Sequence, residues 1–134
     1  MKIKVKNSDL NKDSIESINN LIDMDINVSS AFWLMKVVKE ISPLIETKNE
    51  LEKKITDKYA EKNESGEYVI PVDNNGDPIE GTIKIRDLEG YTKEISDLMN
   101  IENELSYDKM DINELGLKTI KTKSLFNLEF LFDM

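Results

Sequence analysis

The apolar residues between Ala31 and about Lys62 recur at helical spacing, and this repeat constrains the fold more than any other feature of the sequence. One helix over this range would be roughly 48 Å long at 1.5 Å per residue. Two rows of aliphatic residues seven apart follow it, which is typical of a coiled-coil seam, and Lys48 interrupts the first row. The first row is Leu34, Ile41 and Ile55, and the second is Val37, Leu44 and Leu51.

Pro43 lies inside this predicted helix. Proline has no N–H to donate, and its ring clashes with the carbonyl one turn earlier, so the helix is either kinked near Pro43 or broken in two. The apolar phase continues across Pro43, which favours a kink. Ser29 or Ser30 is predicted to cap the helix at its start.

Shorter elements are predicted on both sides of the long helix. Residues 2–6 alternate lysine with isoleucine or valine, which is the period of a strand with one solvent-exposed face. Ser8 or Asp9 is predicted to cap a first short helix. Asp87 is predicted to cap another, which runs to about Asn100.

A hairpin is predicted between the long helix and Asp87. The strand-like segments 68–72 and 79–85 flank the turn sequence Asp-Asn-Asn-Gly-Asp-Pro, and Asn and Gly tolerate the positive φ angles of tight turns. Residues 105–112 are predicted to be extended or irregular. The segment 122–134 predicts either a last helix or a buried terminal strand.

These elements predict an α+β fold with one long helix, Pro-kinked or broken, shorter helices and a small antiparallel β-hairpin or sheet. The sheet would be built from the hairpin and the N-terminal strand. A length of 134 residues with no internal repeat and no low-complexity tract predicts a single domain over residues 1–134.

The composition argues against most kinds of catalytic and metal-binding site. The chain has no cysteine and no histidine, which removes thiolate chemistry, disulfides, the commonest general base and the commonest metal ligand. Its formal net charge of -9 repels nucleic-acid backbones, and Arg86 is the only arginine available for phosphate or guanine contacts. We therefore expect no direct nucleic-acid binding.

No motif marks a catalytic or metal site. The loop that begins at Asp73 resembles the start of a calcium loop, but Pro78 stands where glycine is needed and Lys84 where glutamate is needed. Close carboxylates such as Glu102 and Glu104, or Asp108 and Asp111, keep a carboxylate–metal enzyme open as a third alternative. The expectation is a protein that is not an enzyme, with no catalytic residue, no cofactor and no metal.

The run Ala31-Phe32-Trp33-Leu34-Met35 is the most informative short feature for binding. Five consecutive apolar residues on a helix point in nearly every direction, so they need either full burial in the monomer or a partner. The second half of the seam also needs a cover, which a homodimer, the chain itself or a foreign protein could supply. The candidate interface residues are Phe32, Trp33, Leu44, Leu51, Ile55 and Tyr59.

The sequence does not predict a membrane protein. The N-terminal Met-Lys-Ile-Lys-Val-Lys has charge but no apolar core, so it is not expected to be a signal peptide. The longest apolar run falls far short of the roughly 20 residues that span a bilayer. The expected location is the cytoplasm of the host cell, or a virion.

The whole chain resembles a group of small uncharacterised proteins encoded by phages and prophages of low-GC Gram-positive bacteria. The segments that carry the resemblance are Lys2-Ile3-Lys4 through Asp9-Leu10, Val28-Ser29, Glu50-Leu51-Glu52-Lys53-Lys54-Ile55 through Lys58-Tyr59, and Leu125 through Leu131. The resemblance implies a phage accessory role. The group has no assigned chemistry, so no functional residue carries over.

The leading expectation is a non-enzymatic phage-type accessory or assembly protein that acts by binding another protein, from the host or the phage. The alternative is an acidic inhibitor of a host defence or nucleic-acid-handling protein, as an anti-CRISPR-like protein or a DNA mimic. Mimicry would favour a stripe of one sign, whereas lysines interleave with acids along most of this chain. The segment Asp97–Glu114 is its most acidic part.

Overall fold

The chain folds into two compact units. Unit 1 comprises Met1–Lys48 and Met99–Met134, and unit 2 comprises Asn49–Leu98. The computed structural model describes residues 1–79, 81–117, 120 and 122–133. The single domain expected over residues 1–134 stays a prediction, since two compact units can still unfold as one.

The elements confirm the predicted α+β class. Three one-turn 3₁₀ helices, Asn7–Asp9, Ile112–Leu115 and Glu129–Leu131, connect the described elements of unit 1. The α-helices are α1 (Lys12–Ile22), α2 (Val28–Tyr59), α3 (Leu88–Met99) and α4 (Thr122–Asn127). The strands are β1 (Lys2–Lys6), β2 (Glu102–Asp108), β3 (Met110–Asp111) and β4 (Phe132–Asp133).

Helix α2 is the predicted long helix, and its 32 residues continue across Pro43, so the alternative of two helices is wrong. It begins at Val28 rather than Ala31. The predicted caps Ser29 and Ser30 are also wrong, because the Asn27 side-chain oxygen accepts from the Ser30 N–H at 2.8 Å. Ser30 instead donates its hydroxyl to the Glu114 carbonyl at 2.9 Å, which ties the helix start to the C-terminal part of unit 1.

A similar correction applies to α1. Its cap is Asn11, whose side-chain oxygen accepts from the Ser14 N–H at 2.9 Å, rather than Ser8 or Asp9. Asp9 closes the 3₁₀ turn before it by accepting from the Lys6 N–H at 2.9 Å. Asparagine caps helices as well as serine or aspartate does, so both true caps use ordinary capping chemistry.

Strand β1 forms as predicted, but its partner is β2 and not the hairpin. The two strands are antiparallel, and the alternation buries Ile3 and Val5 while three lysines stay exposed. Each exposed lysine lies opposite a carboxylate on β2, an arrangement that stabilises antiparallel pairs modestly. The opposed pairs are Lys2 with Asp108, Lys4 with Glu104, and Lys6 with Glu102.

The core of unit 1 lies between β1, α1, the first half of α2 and the C-terminal segment. That segment contains both predicted alternatives, because α4 is followed by a 3₁₀ turn and the short strand β4, which pairs in parallel with β3. Residues 118, 119, 121 and 134, within or beside this region, lie outside the described residues. The buried core residues are Ile3, Val5, Leu10, Ile18, Leu21, Leu34, Val37, Ile41, Leu105, Leu115, Leu128, Leu131 and Phe132.

In unit 2, isolated bridges replace the two strands predicted for 68–72 and 79–85. Three extended segments meet in a closed cycle of backbone hydrogen bonds, each 2.8 Å long. The Glu61 N–H donates to the Lys84 carbonyl, the Lys84 N–H to Val69, and the Val69 N–H to Glu61. Pro71 and Pro78 lack the N–H that a regular ladder needs, which explains the interrupted pairing.

Two similar turns ten residues apart join these segments. In the first, the Asn63 side chain accepts from the N–H groups two and four residues ahead, at 2.9 and 3.0 Å. In the second, Asp73 accepts from Asn75 and Asp77 at 2.8 and 3.0 Å. The fourth residue of each turn is a glycine with φ near +80°, Gly66 and Gly76. The calcium-like pattern at Asp73 is therefore one of two matching Asx turns, and the sequence analysis did not identify their similarity.

Gly90 lies close to the Asp87 cap where α3 starts beside the end of α2. Asp87 caps α3 as predicted, with its side chain 3.0 Å from the Gly90 N–H. A Cβ at position 90 would stand 2.5 Å from the other Asp87 oxygen and 3.1 Å from Cε1 of Tyr59.

Gly90→Ala is therefore expected to destabilise the protein by about 1–3 kcal/mol, the balance of overpacking and a displaced cap against a better helix propensity. The better helix propensity of alanine stabilises the variant by about 1 kcal/mol. Overpacking costs about 1–3 kcal/mol, and a displaced cap about 1 kcal/mol more. Urea unfolding followed by circular dichroism measures the change, and Thr92→Ala, on an exposed position of the same helix, is the control that shows the propensity gain alone. A Gly90→Ala variant as stable as Thr92→Ala would contradict the close approach.

Candidate protein-binding face

Two of the six candidate interface residues pack against the core of unit 1. Trp33 donates its indole N–H to the Asp108 carbonyl at 3.0 Å, and its ring centroid lies 5.7 Å from that of Phe132. Leu44 is half-buried against the same core. Both side chains therefore already have cover within unit 1.

Three more candidates lie on the part of α2 that belongs to unit 2. Leu51 keeps 39% of its surface exposed, whereas Ile55 and Tyr59 are half-buried. The ring of Tyr59 meets Tyr91 edge-on, with 6.2 Å between centroids. Only Leu51 of these three leaves a substantial part of its surface available.

An ion pair also lies at this end of α2. Lys58 Nζ and Glu94 Oε1 are 2.9 Å apart. The hydrogen bond to Glu94 raises the pKa of Lys58, and the same bond lowers the pKa of Glu94. Both groups reach solvent, where such a pair contributes little to stability, and its shifted pKa values reflect the pair rather than a reacting centre.

Phe32, the sixth candidate, belongs to an exposed apolar face. Val28, Phe32 and Met35 are 86%, 65% and 50% exposed, and their spacing of four and three residues places them on one side of α2. We call these three residues the helix face. The list of candidate interface residues omitted Val28 and Met35, although Met35 ends the apolar run and both residues lie one turn from Phe32.

The opposite side of these turns of α2 packs into the core, so the helix face is left exposed. Leu34, Val37 and Ile41 are fully buried in the core of unit 1. Helix α2 is apolar on more than one side at its start, and one side must meet solvent or a partner. Exposed side chains grouped this way often mark interaction sites, unlike single exposed residues.

Charged side chains of both signs surround the helix face. Lys36 places its ammonium 5.3 Å from the centroid of the Phe32 ring, and Lys39 is exposed one turn further on. The first turn of α2 contains no acidic residue. The N-terminal end of a helix carries a partial positive charge of its own. Asp23 and Asp25, just before Val28, and Glu114, whose carbonyl accepts from Ser30, are exposed at the start of the helix. The face therefore combines apolar contact area with charges of both signs.

The acidic segment Asp97–Glu114 has a different environment. Its carboxylates on β2 lie opposite the lysines of β1, so the two signs alternate across this sheet. Glu102 and Glu104, considered above as metal ligands, are among these. Within the described ranges, no group of three His, Cys, Asp or Glu residues is placed to hold a metal ion.

Comparison of this chain with known proteins found no relative. The chain matches no protein-family model, no curated protein and no solved structure. None of the helices in the part of the chain that the structure describes combines the length and apolar composition that a membrane span requires.

Proposed function

We propose that this chain is a non-enzymatic accessory or assembly protein, of the phage type that its sequence resembles, and that it binds another protein through the helix face. The exposed side chains of Val28, Phe32 and Met35 carry this proposal. Fully burying a side chain of this size contributes about 1.5–3 kcal/mol. Three together can support a specific contact, provided that the partner covers them completely.

The inhibitor alternative receives less support from the geometry. A DNA mimic needs carboxylates that imitate a row of phosphates, whereas the acids of β2 lie opposite Lys2, Lys4 and Lys6. The helix face has an apolar centre with charges of both signs around it, which suits contact with a protein surface rather than imitation of a row of phosphates. Binding of a protein surface is therefore the function that we propose.

A photo-crosslinking residue in place of Phe32 tests the proposal in cells that naturally carry the gene. Benzoylphenylalanine at position 32 is expected to give discrete crosslinked species that contain a second protein. The matched control places the same residue at Thr47, which is exposed on the same helix and lies about 22 Å further along at 1.5 Å per residue. Mass spectrometry of the products identifies the partner.

Crosslinks from position 32 and not from position 47 would support the proposal. Equal products from both positions would indicate random collision, and no product from position 32 would contradict a binding role for the helix face.

A further inference from the structure

The tip of the second Asx turn contains the single Asn-Gly pair of the chain, Asn75-Gly76. Both residues are exposed, and no described atom lies within 4 Å of the position that a Cβ would take at Gly76. Because glycine has no Cβ, the nitrogen of Gly76 has unhindered access to the side-chain amide of the asparagine before it. The pair therefore brings a backbone nitrogen and a reactive amide together in the open.

The reaction available to this pair is deamidation. The Gly76 nitrogen attacks Cγ of Asn75, so a bond forms between that nitrogen and Cγ while the bond from Cγ to Nδ2 breaks. Nδ2 leaves as ammonia and takes up the proton that the Gly76 nitrogen loses. Water then opens the resulting cyclic imide at either carbonyl, which leaves aspartate or isoaspartate at position 75. The reaction consumes only water and needs no oxidant or reductant.

The hydrogen bonds of the turn oppose the attack. The Gly76 N–H donates to the Asp73 carbonyl at 3.0 Å, so the attacking nitrogen is already engaged. One side-chain oxygen of Asp73 accepts from the N–H groups of Asn75 and Asp77 at 2.8 and 3.0 Å, which fixes the backbone on both sides of Gly76. A negative carboxylate beside the nitrogen also disfavours the loss of its proton. The attack therefore requires the turn to open.

We infer that Asn75 is a site of spontaneous deamidation in this protein, and that the hydrogen bonds accepted by Asp73 set its rate. The site lies in unit 2, and it does not depend on the binding role proposed for the helix face.

The first Asx turn provides an internal comparison. Asn63 takes the place of Asp73, and its side chain accepts from the N–H groups of Ser65 and Glu67 at 2.9 and 3.0 Å. The Gly66 N–H donates to the Asn63 carbonyl at 3.0 Å, as Gly76 does to Asp73. Ser65 therefore stands where Asn75 stands in the second turn. Ser65→Asn would create a second Asn-Gly pair in the same geometry.

Deamidation would change the turn in two ways. Isoaspartate carries the main chain through its side-chain carbon, so the backbone of the turn becomes one atom longer and no longer matches the acceptors on Asp73. Either product also adds a carboxylate between those of Asp73 and Asp77, and like charges repel one another. The converted protein would therefore carry a more acidic and less firmly closed turn.

Storage of the purified full chain in warm, mildly alkaline buffer tests the inference. Asn75 is expected to convert first, whereas Asn63 and Asn74, which precede larger residues, should keep their amides. Peptide mapping by mass spectrometry locates each conversion, and ion-exchange chromatography follows the added negative charge. The rate at Asn75 should rise with pH, because the Gly76 nitrogen reacts by losing its proton.

Three variants test the control by the turn. Asp73→Ala removes the acceptor of two N–H groups, and it should speed conversion of Asn75 about tenfold, the equivalent of about 1.4 kcal/mol for the two hydrogen bonds. Asp73→Asn is the matched control, because Asn63 shows that asparagine holds the same turn, and its rate should stay near that of the wild type. Ser65→Asn should create a second site that converts about as fast as Asn75.

Three results would overturn the inference. One is a folded chain in which Asn75 keeps its amide throughout storage, or in which another asparagine converts first. Another is an Asp73→Ala variant that converts at the wild-type rate, and the third is a Ser65→Asn variant that keeps its new amide. Circular dichroism checks that each variant is folded, as expected for substitutions at exposed positions.

Discussion

Leu34→Ala is expected to lower the free energy of unfolding by about 2–5 kcal/mol, because it removes a fully buried leucine and leaves a cavity. Leu34 is 1% exposed in the core of unit 1. Urea unfolding followed by the fluorescence of Trp33, the single tryptophan, measures the change through a ring that packs against the same core.

Leu51→Ala is the matched control, since it makes the same chemical change at a side chain that is 39% exposed. Its expected cost is about 1 kcal/mol or less, because little new cavity forms there. Circular dichroism gives both variants a common measure of unfolding. Equal losses for Leu34→Ala and Leu51→Ala would show that the whole seam is core and that unit 2 buries Leu51 in solution.

Lys48→Glu is expected to destabilise the protein by about 3–5 kcal/mol, since it buries a charge with no compensating partner. Lys48 is 9% exposed, and its ammonium donates to the Leu10 carbonyl at 2.7 Å. A carboxylate at this position would face the carbonyl oxygen, and both groups would be acceptors.

Lys48→Met separates the stem of the side chain from its charge. Methionine keeps the apolar stem but leaves the Leu10 carbonyl without this donor, at a cost of about 1–3 kcal/mol. The expected order of stability in urea is therefore wild type, then Lys48→Met, then Lys48→Glu. If Lys48→Met proved more stable than the wild type, the desolvation of the ammonium would outweigh its hydrogen bond, and the stabilising role of Lys48 would be wrong.

Lys48 also shows where reading the sequence reaches its limit. The seven-residue spacing predicts α2 correctly, because a periodic pattern over 32 residues is a strong local signal. The same pattern makes Lys48 an interruption of the seam. Its actual partner is the carbonyl of Leu10, 38 residues earlier, and no local rule identifies a contact at that separation.

The two sheets show the same division between local and distant information. The alternation of residues 2–6 predicts β1, whereas β2 is rich in acidic and polar residues and its single buried residue is Leu105. Such a segment has no strong strand pattern, so its pairing with β1 depends on the fold. In the hairpin region, the sequence predicted the turn residues correctly. The two predicted strands form only isolated bridges, because Pro71 and Pro78 cannot donate backbone hydrogen bonds.

The candidate site was predictable in part. The apolar run Ala31–Met35 indicated that one side of the helix start lacked a cover, and Phe32 is indeed exposed. Sequence spacing alone does not tell which side unit 1 covers, so Trp33, which packs on Phe132, was grouped with Phe32. The alternation of Tyr68, Ile70 and Val72 predicts a buried side, whereas these three side chains remain partly in solvent.

The closed cycle that joins Glu61, Val69 and Lys84 has a consequence for how unit 2 opens. In an ordinary hairpin, pairs can fray one after another from the free end, so their amide protons exchange with solvent at graded rates. In a ring of three bonds, each segment is both donor and acceptor, and displacing one segment breaks two bonds together. Each displacement therefore frees two of the three amide protons together, so these protons should exchange with deuterium at more similar rates than those of a fraying hairpin.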